Sequence, residues 1–154
     1  MPPTPSETIR VGSLSVRFVL DAETSGGSAT AFECEVPASA VMSAAHSHDG
    51  FAETNYGLAG VTTFTVDGEL RELHPGEVVF IPRGAVHAFE NRHDGDAKFL
   101  AVATPGVFGP NYFNEIAAVL SAAGGPPDPA AIGEVMRRHG LTPAMRSAEP
   151  NRER

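Results

Sequence analysis

The stretch HSHDGFAE, beginning at residue 46, carries residue types suited to holding a metal ion. His46 and His48 are two apart, and in an extended strand such residues point to the same side. Imidazoles are common ligands of first-row transition metals. Further donors must come from elsewhere in the fold. Glu53 is the nearest carboxylate beyond the DGFA turn, and His87 lies on the alternating stretch GAVHAFEN with Ala85, Phe89 and Asn91 on its face. None of these fragments suffices alone. A lone interior histidine is more often a packed core residue, an H-x-H pair by itself is weak, and Glu53 alone fits a solvated strand-edge charge. His74, His93 and His139 complete the six histidines; they stand beside loop or helix-end residues with no partner pattern and read as surface residues.

The elements that must position these side chains read mainly as strands. SLSVRFVL puts Leu14, Val16, Phe18 and Leu20 on one face, and TAFECEVP puts Phe32, Cys34 and Val36 inward. Cys34 there reads as a small buried hydrophobe and not a nucleophile. Asp67-Gly68 between two β-rich runs signals a tight hairpin. PGEVVFIP is a short apolar run between breakers, GAVHAFEN alternates again, and AKFLAVATP ends in proline. Strand signals recurring every 8 to 12 residues or so predict an all-β sandwich or barrel over about residues 9–105. Beyond Gly109 the period changes. Phe113, Ile116, Ala117 and Leu120 fall at helical spacing until Gly124-Gly125 stops them. A second helix starts at Asp128 as N-cap with Pro129 in its first turn, and Gly140 closes it. The helices are expected over about 111–140, within a single domain of 9–143. Residues 1–8 and 144–154 read as disordered ends.

Composition excludes several function classes. At 154 residues one domain with a sizeable core is expected. A net charge of -8 repels phosphate backbones, and no basic cluster suggests anionic lipid, so neither nucleic acid nor membrane is an expected partner. The one cysteine forbids an intrachain disulfide, and MPPTPSETIR has no apolar leader region, so the expected location is cytoplasmic.

The joint spacing decides between these readings. HSHDGFAETNYGLAG fits H-x-H-x4-E-x6-G through His46, His48, Glu53 and Gly60. GEVVFIPRGAVHAFEN fits G-x5-P-x-G-x2-H-x3-N through Gly76, Pro82, Gly84, His87 and Asn91. The two blocks resemble the paired signature motifs of the cupin superfamily, with one departure: Ala40 stands where many members carry a turn glycine. The short interval from Gly60 to Gly76 is that of small bacterial members. The resemblance implies a jelly-roll β-barrel with C-terminal helices, and maps His46, His48, Glu53 and His87 onto the family's metal ligands. It implies one divalent transition ion, which could be iron, manganese, nickel, cobalt, copper or zinc. The glycines, Pro82 and Asn91 have structural work in turns, and Met42, Ala44 and Phe89 lie on ligand-side faces.

The stretch TFTVDGELRELHPGEVVFIPRGAVHAFEN, followed by a helix with Tyr112 and Phe113, is similar to quercetin dioxygenase-type bacterial cupins. That implies a dioxygenase acting on a small aromatic or enolic molecule, with Glu53 as ligand or general base and the first helix covering the barrel mouth. The alternatives are a non-redox isomerase, cyclase or hydrolase, and a metal-containing small-molecule binding protein. Sugar phosphates are disfavoured, because basic residues between 30 and 104 do not converge. A homodimer is expected, with SLSVRFVL as the candidate edge for pairing.

Overall fold

The computed structural model describes residues 7–41 and 43–144. Met42 and most of the expected N-terminal arm and tail lie outside them; Ala144, expected in the tail, is described and donates its amide to the Ala45 carbonyl at 2.9 Å. Eleven strands and two helices follow in the order β1 (Ile9–Val11), β2 (Leu14–Leu20), β3 (Thr30–Val36), β4 (His46–His48), β5 (Ala52–Ala59), β6 (Thr62–Val66), β7 (Glu69–Leu73), β8 (Val78–Ile81), β9 (His87–Glu90), β10 (Ala97–Thr104), α1 (Pro110–Ala122), α2 (Pro129–Arg138) and β11 (Leu141–Pro143). All strand pairs are antiparallel. One sheet runs β1-β2-β3-β10-β5-β8 and the other β11-β4-β9-β6-β7. Packed face to face, they form the expected all-β jelly-roll barrel.

Alternation sets what lies between the sheets. Val16 and Phe18 of β2, Phe32, Cys34 and Val36 of β3, and Phe99 and Ala101 of β10 are buried, as their spacing predicts. The Asp67-Gly68 hairpin joins β6 to β7 with positive φ at both turn residues, 48° and 82°, as a type I′ turn requires. Both helices form close to their expected bounds. Asp128 caps α2, its carboxylate accepting from the Ala130 amide at 3.0 Å. Helix α1 lays Tyr112 and Ile116 on the core. No helix among the described residues is long and apolar enough to cross a membrane.

The strands do not stop near residue 105. Leu141–Pro143 returns after α2 to pair with β4 in the register Leu141↔His48, Thr142↔Ser47 and Pro143↔His46. Three residues ending in proline carry too little period to be recognised beforehand. The missing motif glycine is also accounted for: the chain turns at Ser39, with φ at 60°, and Ala40 is buried with its carbonyl accepting from the Asn91 amide. Asn91 secures its turn through its side chain, donating to the Val36 and Gly95 carbonyls and accepting from the His93 amide.

Candidate metal centre

His46 and His87 face each other across the β4–β9 pair, in direct register. His48 is on the same side of β4 as His46, two residues on. The three imidazoles therefore converge from one sheet, each offering an atom within 4.8 Å of the others. Glu53 reaches in from β5 of the opposite sheet, its Oε2 3.7 Å from His87 Nε2. It lies outside the tight triangle of ring nitrogens but is adjacent to it. Turn residues fix these strands: Gly84, at φ 81°, donates its amide to the His48 carbonyl at 2.9 Å just before β9 begins.

Second-sphere contacts set the tautomers. His46 Nδ1 donates to the Ala44 carbonyl at 2.9 Å and His87 Nδ1 to the Ala85 carbonyl at 3.0 Å. A carbonyl only accepts, so each ring carries its proton on Nδ1 and leaves a lone pair on Nε2. That lone pair of His46 meets His48 Nε2 at 3.0 Å, so a proton or a cation must lie between them. His48 Nδ1 is buried with no hydrogen-bond partner among the described residues. Burial disfavours imidazolium throughout: it holds His46 down to about 3, with the His87 ring adding to the effect, and His48 down to about 2, with both neighbours contributing. His87 is lowered by the same burial, partly offset by the Ala85 carbonyl and by Asp67. Three neutral imidazoles with converging lone pairs are the donor set a divalent transition ion requires. The residues fit such an ion.

Glu53 is buried as well, and burial pushes its carboxyl up to about 7 against a hydrogen bond from Asn55. Asn55 itself is fully buried, two residues along the same face of β5. An anionic carboxylate there calls for a cation beside it.

An aromatic wall borders the imidazoles. Phe51 stacks on His48 with ring centroids 4.2 Å apart, Phe108 stacks on Phe51 at 5.2 Å, and Tyr112 of α1 meets Phe108 at 5.0 Å. Tyr112 is buried, its phenol pushed up by burial and by the charge of Glu53. The sequence offered partial signals for this wall: Phe51 sits inside HSHDGFAE itself, but contacts among residues 51, 108 and 112 are invisible without the fold. Of the ligand-side residues expected from alternation, Phe89 packs with Phe64 and Phe99, and Ala44 is exposed. His74 and His93 are surface residues paired with Glu72 or Glu77. His139 is not a plain surface residue: it is half-buried between Glu115 and the Tyr112 ring.

Residues 32–103 match the cupin domain family, a span that includes both motif blocks. The chain carries a cupin domain. Among its relatives, quercetin 2,3-dioxygenase of Bacillus subtilis (strain 168) is 36% identical over 66 residues, covering 42% of this chain and 19% of that protein. The chain thus matches about a fifth of that relative's length. Among solved structures, a predicted oxalate decarboxylase of Thermotoga maritima is 27% identical with a TM-score of 0.59, covering 68% of this chain and 94% of that one. An oxalate decarboxylase of Bacillus subtilis, 19% identical with a TM-score of 0.60, covers 69% of this chain and 29% of that one, and shares the fold. This cupin therefore pairs its family's barrel with a three-histidine cluster able to hold a divalent metal.

Proposed function

We propose that this cupin is a metal-dependent dioxygenase acting on a small, neutral aromatic or enolic molecule. The observation that carries the reading is the contiguity of the imidazole cluster with the aromatic wall, Phe51 against His48 at 4.2 Å. His46, His48 and His87 would hold the ion through Nε2, with Glu53 as the fourth ligand. When bound, the ion supplies Lewis acidity and one-electron exchange with dioxygen. Four protein ligands leave positions for substrate on an ion that prefers five or six. Glu53, beside the imidazoles at 3.7 Å from His87, would take the proton of a substrate hydroxyl. Phe51, Phe108 and Tyr112, packed on one another and on His48, keep water from that side of the imidazoles and make the site's surroundings apolar.

Substrate charge is part of the argument. Among the described residues no arginine or lysine is buried, so a dianion such as a dicarboxylate or a phosphate would find no buried cation besides the metal. The similarity to quercetin 2,3-dioxygenase supports the aromatic reading, within the limits of a 66-residue match.

The test is dioxygen consumption by metal-reconstituted protein on a panel of flavonols, catechols and enols, alongside oxalate. Uptake is expected with an aromatic or enolic member and not with oxalate. Glu53→Gln should abolish it. Turnover without dioxygen uptake, or no turnover across the panel, would overturn the dioxygenase assignment.

A further inference from the structure

Two of the three imidazoles are held by a hydrogen bond to backbone, and the third is not. Ala44 and Ala85, whose carbonyls accept from His46 Nδ1 at 2.9 Å and from His87 Nδ1 at 3.0 Å, both precede their strands. There the backbone is free of the ladder, and a carbonyl can turn toward the ring two residues on. The residue two before His48 is His46, inside β4. In a strand the carbonyls point sideways to neighbouring strands and not along the face that carries the side chains. His48 Nδ1 is accordingly buried with no partner among the described residues. The χ2 torsion of a histidine is broad and two-fold by nature, so a ring without such a bond needs another constraint to keep its plane.

A flat neighbour supplies that constraint. Phe51 lies against His48 with 4.2 Å between ring centroids and 22° between ring planes. Rotation of the imidazole about χ2 would drive its edge into the Phe51 face. Phe51 is itself 1% exposed and is backed by Phe108, at 5.2 Å and 27°. The bend at Asp49-Gly50 that separates Phe51 from His48 is pinned as well. Asp49 donates its amide to the Gly140 carbonyl at 3.3 Å, and its carboxylate accepts from the Thr142 hydroxyl at 2.8 Å.

We propose that Phe51 is the positioning residue of His48, its ring face taking the place of the missing acceptor and keeping Nε2 aimed where those of His46 and His87 converge. The inference rests on the reading of the three imidazoles as a metal centre and not on the dioxygen chemistry. Loss of the flat face then weakens metal binding although Phe51 carries no donor atom.

Cobalt(II) titration of chelator-stripped protein, against a chromophoric competitor, tests the inference. Phe51→Leu keeps an apolar side chain but loses the face, and should bind cobalt roughly tenfold more weakly, the low end of what loss of a second-sphere partner costs. Phe18→Leu removes a ring that is 3% exposed and packs on Phe32 and Phe113, and should bind as the wild type does. A general effect of core packing would weaken both variants alike, so equal losses overturn the inference. Equal affinities of wild type and Phe51→Leu overturn it too. A wild type that takes up no cobalt overturns the metal centre together with it. Should Phe51→Leu fail to fold, proton magnetic resonance of the metal-free wild type decides. The carbon-bound ring protons of His48 should lie at high field of those of the exposed His74, because the π current of Phe51 shields what lies over its face. Unshifted His48 protons overturn the inference. Neither readout involves turnover, so both stand apart from the proposed activity.

Discussion

Replacing His87 by alanine tests the metal centre quantitatively. His87 is 4% exposed and would supply one of four donors. An ion present at a hundred times its dissociation constant stabilises the native state by about 2.7 kcal/mol. For a chain of this length about 1 kcal/mol moves the melting temperature by roughly 2–4 °C, so metal addition should raise the wild-type value by roughly 5–11 °C over chelator-treated protein. Losing a mere second-sphere partner costs 10- to 100-fold in metal affinity, so losing a ligand costs at least as much, about a hundredfold. At the same metal concentration the variant then sits near half-occupancy, worth about 0.4 kcal/mol and a rise of roughly 1–2 °C. The variant also loses the 3.0 Å bond from Nδ1 to the Ala85 carbonyl, which lowers the melting temperature with or without metal. The informative quantity is therefore the metal-induced shift and not the absolute value. Scanning calorimetry with chelator and with each candidate metal measures it, and plasma mass spectrometry gives the bound stoichiometry. His74→Ala, at an exposed histidine paired with Glu77, should keep the full shift. Equal shifts in wild type and His87→Ala, with full metal content in both, would refute the ligand assignment.

Two further expectations concern stability. Burial raises the Glu33 carboxyl, but Arg17 and Lys98 outweigh it and hold the group below its ordinary value. Its folded value is thus lower than its unfolded one, so its contribution is present above the ordinary carboxylate range, near 4.5, and fades as pH falls through the folded value. Glu33→Gln should cost less than about 1 kcal/mol at neutral pH, since the pair is partly solvated, and nothing in strong acid; melting curves across pH show whether the two proteins converge. Asp128→Ala removes the N-cap of α2 and should cost about 0.5–2 kcal/mol by urea denaturation, with Asp128→Asn losing only a few tenths.

The parts of the fold visible in the sequence were those governed by short-range rules. Alternation placed Phe32, Cys34 and Val36 inward, Asp67-Gly68 announced its hairpin, and Asp128-Pro129 announced α2, because pleat, turn and cap act over a few residues. The imidazole cluster was legible because H-x-H is local and His87 comes with its own turn of Pro82 and Gly84. What escaped was set by packing between distant segments. Phe51, Phe108 and Tyr112 meet only once α1 has folded back over the barrel. His139 looked like an ordinary helix-end histidine until Glu115 and Tyr112 were placed beside it. Val78 and Phe80 sit in an apolar run, and nothing local says which alternate residues face solvent.

The pairing of β11 with β4 bears on the order in which the centre is assembled. Strand β4 carries two of the imidazoles yet shares a single register pair with β9, against three with β11. A chain emerging from the ribosome presents its N-terminal part first. The strand holding His46 and His48 therefore waits for residues nearly a hundred positions later before its outer edge is closed. Capture of an ion by these imidazoles is then expected late, once Leu141–Pro143 has been made and docked, and not on emergence of the ligands themselves. A nascent chain stalled before Leu141 would hold the ion poorly, however complete the rest of its barrel.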